Sequence, residues 1–143
     1  MYQEILLPTD GTAATEAVLD HTLEVASGRD ATVHVLYVVD DQAFLTLSED
    51  EKQDVLDGLR DEGEAAIEDT VARLEAAGLD TRSEISRGKP AEEIIAYVDL
   101  AGIDLVTMAT HGDSHEQNML GSTAENVVSS AAAPVLTVAI GDE

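Results

Sequence analysis

Two short stretches carry residue types that could meet a charged ligand. The first is Pro8-Thr9-Asp10-Gly11-Thr12, which follows the apolar run Ile5-Leu6-Leu7 and offers a carboxylate, a glycine and a hydroxyl in succession. The second is Thr110-His111-Gly112, then eight residues, then Gly121-Ser122-Thr123, after the apolar run Leu105 to Ala109. Glycine lets backbone approach a ligand closely, and a helix N-terminus offers unpaired N–H groups and a positive dipole end to phosphate. The chemistry suggested is the binding of a mononucleotide. Catalysis has no comparable support: the chain holds no G-x-S-x-G elbow and no G-x-x-x-x-G-K-[ST] loop, and Ser122 has no activating base identifiable from spacing. Slow nucleotide hydrolysis by a metal-oriented water at Asp10 is compatible with these residues, but the expectation is a binding protein, not an enzyme. Ser122 also completes a capping box, Ser122-Thr123-Ala124-Glu125, so a structural cap and a phosphate contact are both open for it. His111, Asp113, His115 and Glu116 are donor types for zinc or nickel, yet i,i+4 spacing in a loop sets no common face. Solvent-exposed histidines are expected there, and His21 and His34, in a helix and a strand, read as packing or surface residues.

Composition narrows the partners. The 143 residues include 30 Asp and Glu against 7 Lys and Arg, a formal charge of −23. Arg29, Lys52, Arg60, Arg73, Arg82, Arg87 and Lys89 are scattered, so a nucleic-acid backbone or an anionic membrane is disfavoured. A hydrophobic share of 44% is too high for a disordered acidic tail. Ten acids (Glu49, Asp50, Glu51, Asp54, Asp57, Asp61, Glu62, Glu64, Glu68 and Asp69) fall in one helical stretch whose other face is apolar. They read as a solvated face, of the kind that salt screening makes tolerable in halophiles. Cysteine is absent. The longest apolar runs are strand-sized, and Met1-Tyr2-Gln3-Glu4 does not open a signal peptide, so a soluble cytoplasmic protein is expected.

The apolar pattern says what must position these residues. Ile5 to Leu7, Thr32 to Val39, Leu105 to Ala109 and Val135 to Ile140 are apolar on both parities, as strands covered on both faces are. Thr81 to Ser86 is a weaker, polar strand. Between them the spacing predicts four helices. The first runs from Thr12 to Ser27, with Ala14, Val18, Thr22 and Val25 inward. The second starts at the capping box Ser48-Glu49-Asp50-Glu51 and carries Leu56, Leu59, Ala66, Ile67, Val71 and Leu74. The third begins at Pro90, burying Ile94, Ile95 and Val98 before Gly102, and the fourth follows Ser122, carrying Val127, Val128 and Ala131 up to Pro134. The segment from Asp40 to Leu47, with Phe44, is the one irregular connection. The result is a single α/β domain over a five-stranded parallel sheet with helices on both faces.

Strand polarity chooses the strand order. The second strand is the most apolar and belongs inside, while Arg82, Ser83, Glu84 and Ser86 suit the third to an edge, giving 3-2-1-4-5. The chain then reverses between the first and fourth strands, where open sheets bind ligands, and both ligand-type stretches follow those strands. The last strand, Val135 to Ile140, becomes an uncharged apolar edge. Such an edge invites pairing unless covered, so a homodimer through it is expected; a monomer with its tail folded over that edge is the alternative.

Taken together, Ile5-Leu6-Leu7-Pro8-Thr9-Asp10-Gly11, Val35-Leu36-Tyr37-Val38-Val39-Asp40, Gly88-Lys89-Pro90-Ala91-Glu92-Glu93-Ile94-Ile95, Asp104-Leu105-Val106 through Thr110-His111-Gly112 to Gly121-Ser122-Thr123-Ala124-Glu125-Asn126-Val127, and Pro134-Val135-Leu136 resemble the universal stress protein family. The resemblance spans the chain as one domain, residues 1–143. It implies the adenine nucleotide alpha hydrolase-like fold in order 3-2-1-4-5, dimerisation through the last strand and, in one branch, ATP binding with Mg2+. On that basis Asp10 and the backbone of Val38 hold the adenine side, and Gly112, Gly121, Ser122 and Thr123 the ribose and phosphates. Pro8 and Thr9 before Asp10, and Ala109 and His111 before Gly112, complete the candidate nucleotide-binding set. The chain departs twice from the loop motif of the ATP-binding branch: Ala109 stands where its first glycine belongs, its methyl a candidate to crowd the ligand, and eight residues, not nine, separate Gly112 from Gly121. Asp113 and Glu116 also place negative charge in that loop. The alternative is therefore a nucleotide-independent dimer acting through protein contacts. A phosphoacceptor receiver is excluded by Ser86-Arg87 and Gly141-Asp142-Glu143 where it needs an aspartate and a lysine. Flavin binding is disfavoured by the shortage of aromatics among Tyr2, Tyr37, Phe44 and Tyr97.

Overall fold

The computed structural model describes residues 2–9, 13–40, 47–111 and 119–140. Elements alternate in chain order as β1 (Glu4–Thr9), α1 (Ala13–Ala26), β2 (Thr32–Asp40), α2 (Glu49–Ala76), β3 (Asp80–Gly88), α3 (Pro90–Ala101), β4 (Leu105–His111), α4 (Met119–Ser130) and β5 (Val135–Ile140). The sheet is parallel throughout, in order β3-β2-β1-β4-β5. The expected order therefore holds, with polar β3 at one edge and uncharged β5 at the other.

Side-chain parity divides the core into two layers. Ile5, Leu7, Val33, Val35, Tyr37, Val39, Leu105 and Ala109 face α1 and α2, where they meet Val18, Leu19, Leu56, Ile67 and Leu74. Leu6, Leu36, Val38, Val106 and Met108 face the other way, against Ile94 and Val98 of α3 and Ala124 and Val127 of α4. Every residue from Val33 to Val39 is buried, which explains a run with no polar alternation. The ten acids from Glu49 to Asp69 are all exposed, as a solvated face requires.

The helix ends follow their local chemistry. In α2 the Ser48 Oγ accepts from the Glu51 amide at 3.2 Å and the Glu51 carboxylate accepts from the Ser48 amide at 3.2 Å, the reciprocal box expected from sequence. Pro90 opens α3, and Gly102 closes it with φ 66, a left-handed conformation suited to glycine.

Four expectations need correction, the first being Ile95 of α3, which is only half-buried beside the buried Ile94 and Val98. The fourth helix begins at Met119, so Ser122 lies inside it and is not its cap; the polar stretch before it masked the true start. Val128 is 55% exposed, because it sits one residue round the helix from the buried Val127. In α1 the buried line runs through Thr15, Val18, Leu19, Thr22 and Ala26, while Val25 is only half-buried and the side chain of Ala14 lies outside the described residues. Most of the connection from Asp40 to Leu47, residues 41–46 with Phe44, lies outside them too.

The contact of α2 with the sheet depends on a missing side chain. Gly63 is buried against the Tyr37 ring, and a Cβ there would fall 2.5 Å from Tyr37 Cδ1. Gly63→Ala should therefore destabilise the protein by about 1–2 kcal/mol in chemical denaturation, overpacking outweighing the ~1 kcal/mol helix-propensity gain. The same alanine beside Tyr37→Leu should cost less than the sum of the two single changes.

Candidate functional site

The candidate residues gather at the carboxyl ends of the central strands, and the way β1 and β4 pair shapes that place. At their amino ends the two strands are tied: the Asp104 carboxylate accepts from the amides of Gln3 (3.0 Å) and Glu4 (3.2 Å), and the Asp104 amide donates to the Glu4 carbonyl at 2.8 Å. Ladder pairing then covers only Ile5 with Leu105 and Leu6 with Val106. By contrast β1 pairs with β2 along all six of its residues, to Thr9 opposite Tyr37. Beyond Leu6 and Val106 no ladder pair joins the two central strands, and this is the chain reversal at which open α/β sheets bind ligands. The Thr107 hydroxyl compensates there. It donates to the Leu6 carbonyl at 3.3 Å and lies 2.9 Å from the Thr22 hydroxyl of α1.

Around this reversal Pro8 and Thr9 close β1, both buried, with the Thr9 hydroxyl 3.0 Å from that of Thr15. Val38 stands one residue beyond the end of the β1 ladder, 8% exposed and in register with Ser86 of β3. His111 ends β4 opposite Ile140, its side chain outside the described residues. Gly121 lies in the first turn of α4, where amides have no intrahelical acceptor, and Ser122 follows it. Thr123 is buried on the inner face of the same helix. Asp10, Gly11 and Thr12, and Gly112 with Asp113, His115 and Glu116, lie outside the described residues. Among the described residues no group of three or more His, Asp or Glu could hold a metal ion, and no helix is long and apolar enough to cross a membrane.

Ala109 does not stand as the sequence suggested. Its methyl is fully buried in the layer beneath α1, among Ile5, Leu7 and Val18, so it fills the core. Ser86 was missed. Its hydroxyl is buried with no hydrogen-bond partner among the described residues, at the carboxyl end of β3 beside Val38. A buried polar atom of this kind is costly unless something satisfies it, and an edge-strand serine gives no sequence signal of burial.

A second polar cluster lies near the amino ends of the strands. His34 is buried; its Nε2 is 2.7 Å from the Glu4 carboxylate and its Nδ1 is 2.8 Å from the Tyr97 hydroxyl. A carboxylate only accepts, so Nε2 donates to Glu4, while Nδ1 and the Tyr97 hydroxyl share the second hydrogen bond. Carboxylate, imidazole and phenol in line can activate a nucleophile. Here burial, helped by Glu84 and Glu4 and opposed by Arg82, raises the Tyr97 pKa above its ordinary 10.0 and holds the phenol protonated. The cluster is a tie between β1, β2 and α3, and it makes His34 a packing residue as the sequence suggested.

Comparison with known proteins agrees with this architecture. The model of the Universal stress protein family matches residues 1–139. A universal stress protein of Methanocaldococcus jannaschii is 33% identical over 140 residues, covering 96% of this chain and 82% of its own. The solved structure of another protein of that organism superposes with a TM-score of 0.89 at 29% identity, covering 100% of this chain and 99% of its own. Two more distant structures share the fold. One is a universal stress protein in complex with cAMP, with TM-score 0.72, 23% identity and coverage of 96% and 97%. The other is an Arabidopsis thaliana family protein with AMP bound, with TM-score 0.71, 17% identity and coverage of 96% and 92%.

Two outcomes follow from the geometry. Thr107→Val removes the donor to the Leu6 carbonyl without changing shape and should cost about 1–2 kcal/mol in urea denaturation, with the fold retained by circular dichroism. Tyr97 keeps its proton to higher pH in the fold than in the unfolded chain, so its contribution to stability is whole below pH 10.0 and declines as pH rises through the raised folded value. Thermal melts across the alkaline range should show that component in the parent and not in Tyr97→Phe.

Proposed function

This chain belongs to the universal stress protein family, and from that premise we propose that it is a cytoplasmic regulatory dimer of the stress response that binds an adenine nucleotide, ATP, between β1 and β4. The observation that carries the reading is the end of β1–β4 pairing after Leu6 and Val106, at the chain reversal where open α/β sheets bind ligands. The Ser86 hydroxyl beside Val38, without a hydrogen-bond partner among the described residues, fits the same reading, since the edge of a base would supply one. Adenine complexes of two proteins with this fold add support.

In this reading Asp10 and the Val38 backbone meet the adenine side, with Pro8 and Thr9 setting the strand end behind them. Gly112, Gly121 and Ser122 meet ribose and phosphates. Thr123, being buried, acts through its place in the helix, and Ala109 and His111 through backbone. Mg2+ would arrive with the nucleotide, held mainly by phosphate oxygens, and offset the acidic surroundings of Asp113 and Glu116. Binding is the proposed activity, not turnover. The dimer forms through β5, where Val135, Leu136 and Val138 are half-buried, Thr137 and Ala139 are exposed, and the sheet order ends. A second reading, a nucleotide-independent dimer acting by protein contact, is favoured by the shortened acidic loop between Gly112 and Gly121.

Calorimetric titration of the folded protein with Mg-ATP, at low and at multimolar salt, separates the two. Saturable binding is expected, together with nucleotide absorbance in an acid extract of the purified protein; no heat in either salt regime would reject the first reading. Gly121→Val should weaken binding by about tenfold or more, since 1.4 kcal/mol of lost contact suffices, while light scattering still reports the dimer mass. Unchanged affinity would move the phosphates elsewhere, and a concentration-independent monomer mass for the parent would remove the dimer.

A further inference from the structure

The acidic helix and the polar edge strand enclose a groove that nucleotide binding does not use. It measures about 660 Å³ and runs between α2 and β3. Its floor is apolar, formed by the buried Ile67 and the half-buried Val71 and Ile85. Along its α2 wall stand Glu64, Glu68 and Glu75, with Arg60 the one cation among the lining residues. Glu75 accepts from the Thr81 hydroxyl at 3.1 Å, whereas Glu64 and Glu68 have no cationic partner among the described residues. The other wall is β3 itself. It pairs with β2 from Asp80 to Gly88, and among the described residues no strand lies on its outer side.

An acidic helix face or a charged edge strand alone has an ordinary explanation in solubility. Their combination around an apolar floor selects an occupant. An extended segment laid along β3 would hydrogen-bond to the free edge and turn alternate side chains toward α2. There the floor accepts aliphatic groups, and Glu64 and Glu68 accept Lys or Arg heads. A second copy of this chain fits poorly, because it would bring another −23 of charge against the same carboxylates.

We propose that the α2/β3 groove docks an extended segment of another protein, which adds as a strand beside β3 and whose α2-facing residues mix Lys or Arg with Val, Ile or Leu. The site is independent of nucleotide, so loss of ATP binding leaves it standing.

Fluorescence anisotropy on the full chain tests this with a labelled peptide as long as the nine-residue β3, Lys-Thr-Val-Thr-Lys-Thr-Val-Thr-Lys. Saturable binding is expected at about 150 mM salt, where long-range attraction is screened. The same peptide with Glu for Lys should not bind, and one N-methylated at alternate residues should bind about tenfold more weakly for want of backbone bonds. Glu64→Gln with Glu68→Gln should weaken binding about fivefold, whereas Asp54→Asn with Asp61→Asn, on the same helix outside the groove, should change it less than about twofold. Absence of binding by the parent peptide overturns the proposal. Equal losses in the two variant pairs would reduce the effect to general attraction by an acidic surface, and full affinity of the N-methylated peptide would exclude strand addition. Displacement of the peptide by spermine at equal affinity would assign the groove to small polycations instead.

Discussion

The centre of the sheet is organised by β1 and β4 being tied at one end and unpaired at the other. Asp104 and two ladder pairs fix the amino ends, and pairing stops after Leu6 and Val106. The break in pairing follows from topology: the chain leaves β1 for the α1 face and β4 for the α4 face, so the helices pull connections to opposite sides of the sheet. A break between two central strands leaves backbone groups that a continuous ladder would satisfy, and the Thr107 hydroxyl meets one of them at Leu6. A threonine in an apolar strand is thus part of what makes an unpaired stretch tolerable in the middle of a sheet.

The two core layers constrain what the strand ends can show a ligand. Residues of odd number in β1, β2 and β4 face α1 and α2, and those of even number face α3 and α4. Ala109 follows that parity into the core, so a position that looked like an obstruction is a packing residue. The same parity sets Tyr37 beneath α2, where the ring occupies the space that a side chain at Gly63 would need. Backbone proximity of α2 to the sheet then brings its acidic outer face near β3 and forms the walled groove there.

Charge and edge chemistry divide the surface into regions with different consequences. Among the described residues the exposed acids of α2 make only weak, solvent-screened pairs, such as Asp69 with Arg73 at 3.7 Å, Arg73 also lying 3.5 Å from Glu16 of α1, and they belong to solvation more than to stability. At β3 the edge is polar and charged, which resists indiscriminate pairing, whereas β5 has no charge along its length. One sheet therefore carries two edges of opposite character.

Much was legible before any coordinates. Apolar runs on both parities mark strands buried on both faces; helical spacing places Leu56, Ile67 and Leu74 on one line; and the polarity of Arg82 to Ser86 sends β3 to an edge, which with the apolar second strand leaves the order 3-2-1-4-5. These are properties of local composition, so sequence holds them. The glycine-bearing ends of the first and fourth strands were likewise readable, because type and spacing suffice to say that a ligand could meet them. What could not be read were relations across the fold: the loss of pairing after Leu6, the Thr107 hydroxyl reaching a carbonyl 101 positions away, the fit of Gly63 to Tyr37, and the buried hydroxyl of Ser86. The start of α4 at Met119 was missed for a related reason, since a capping box three residues past the true start is locally as good a signal as a real one. Sequence determines which face each residue prefers; only packing decides which distant atoms then meet, because hydrogen bonds and close contacts act over a few ångströms that chain separation does not encode.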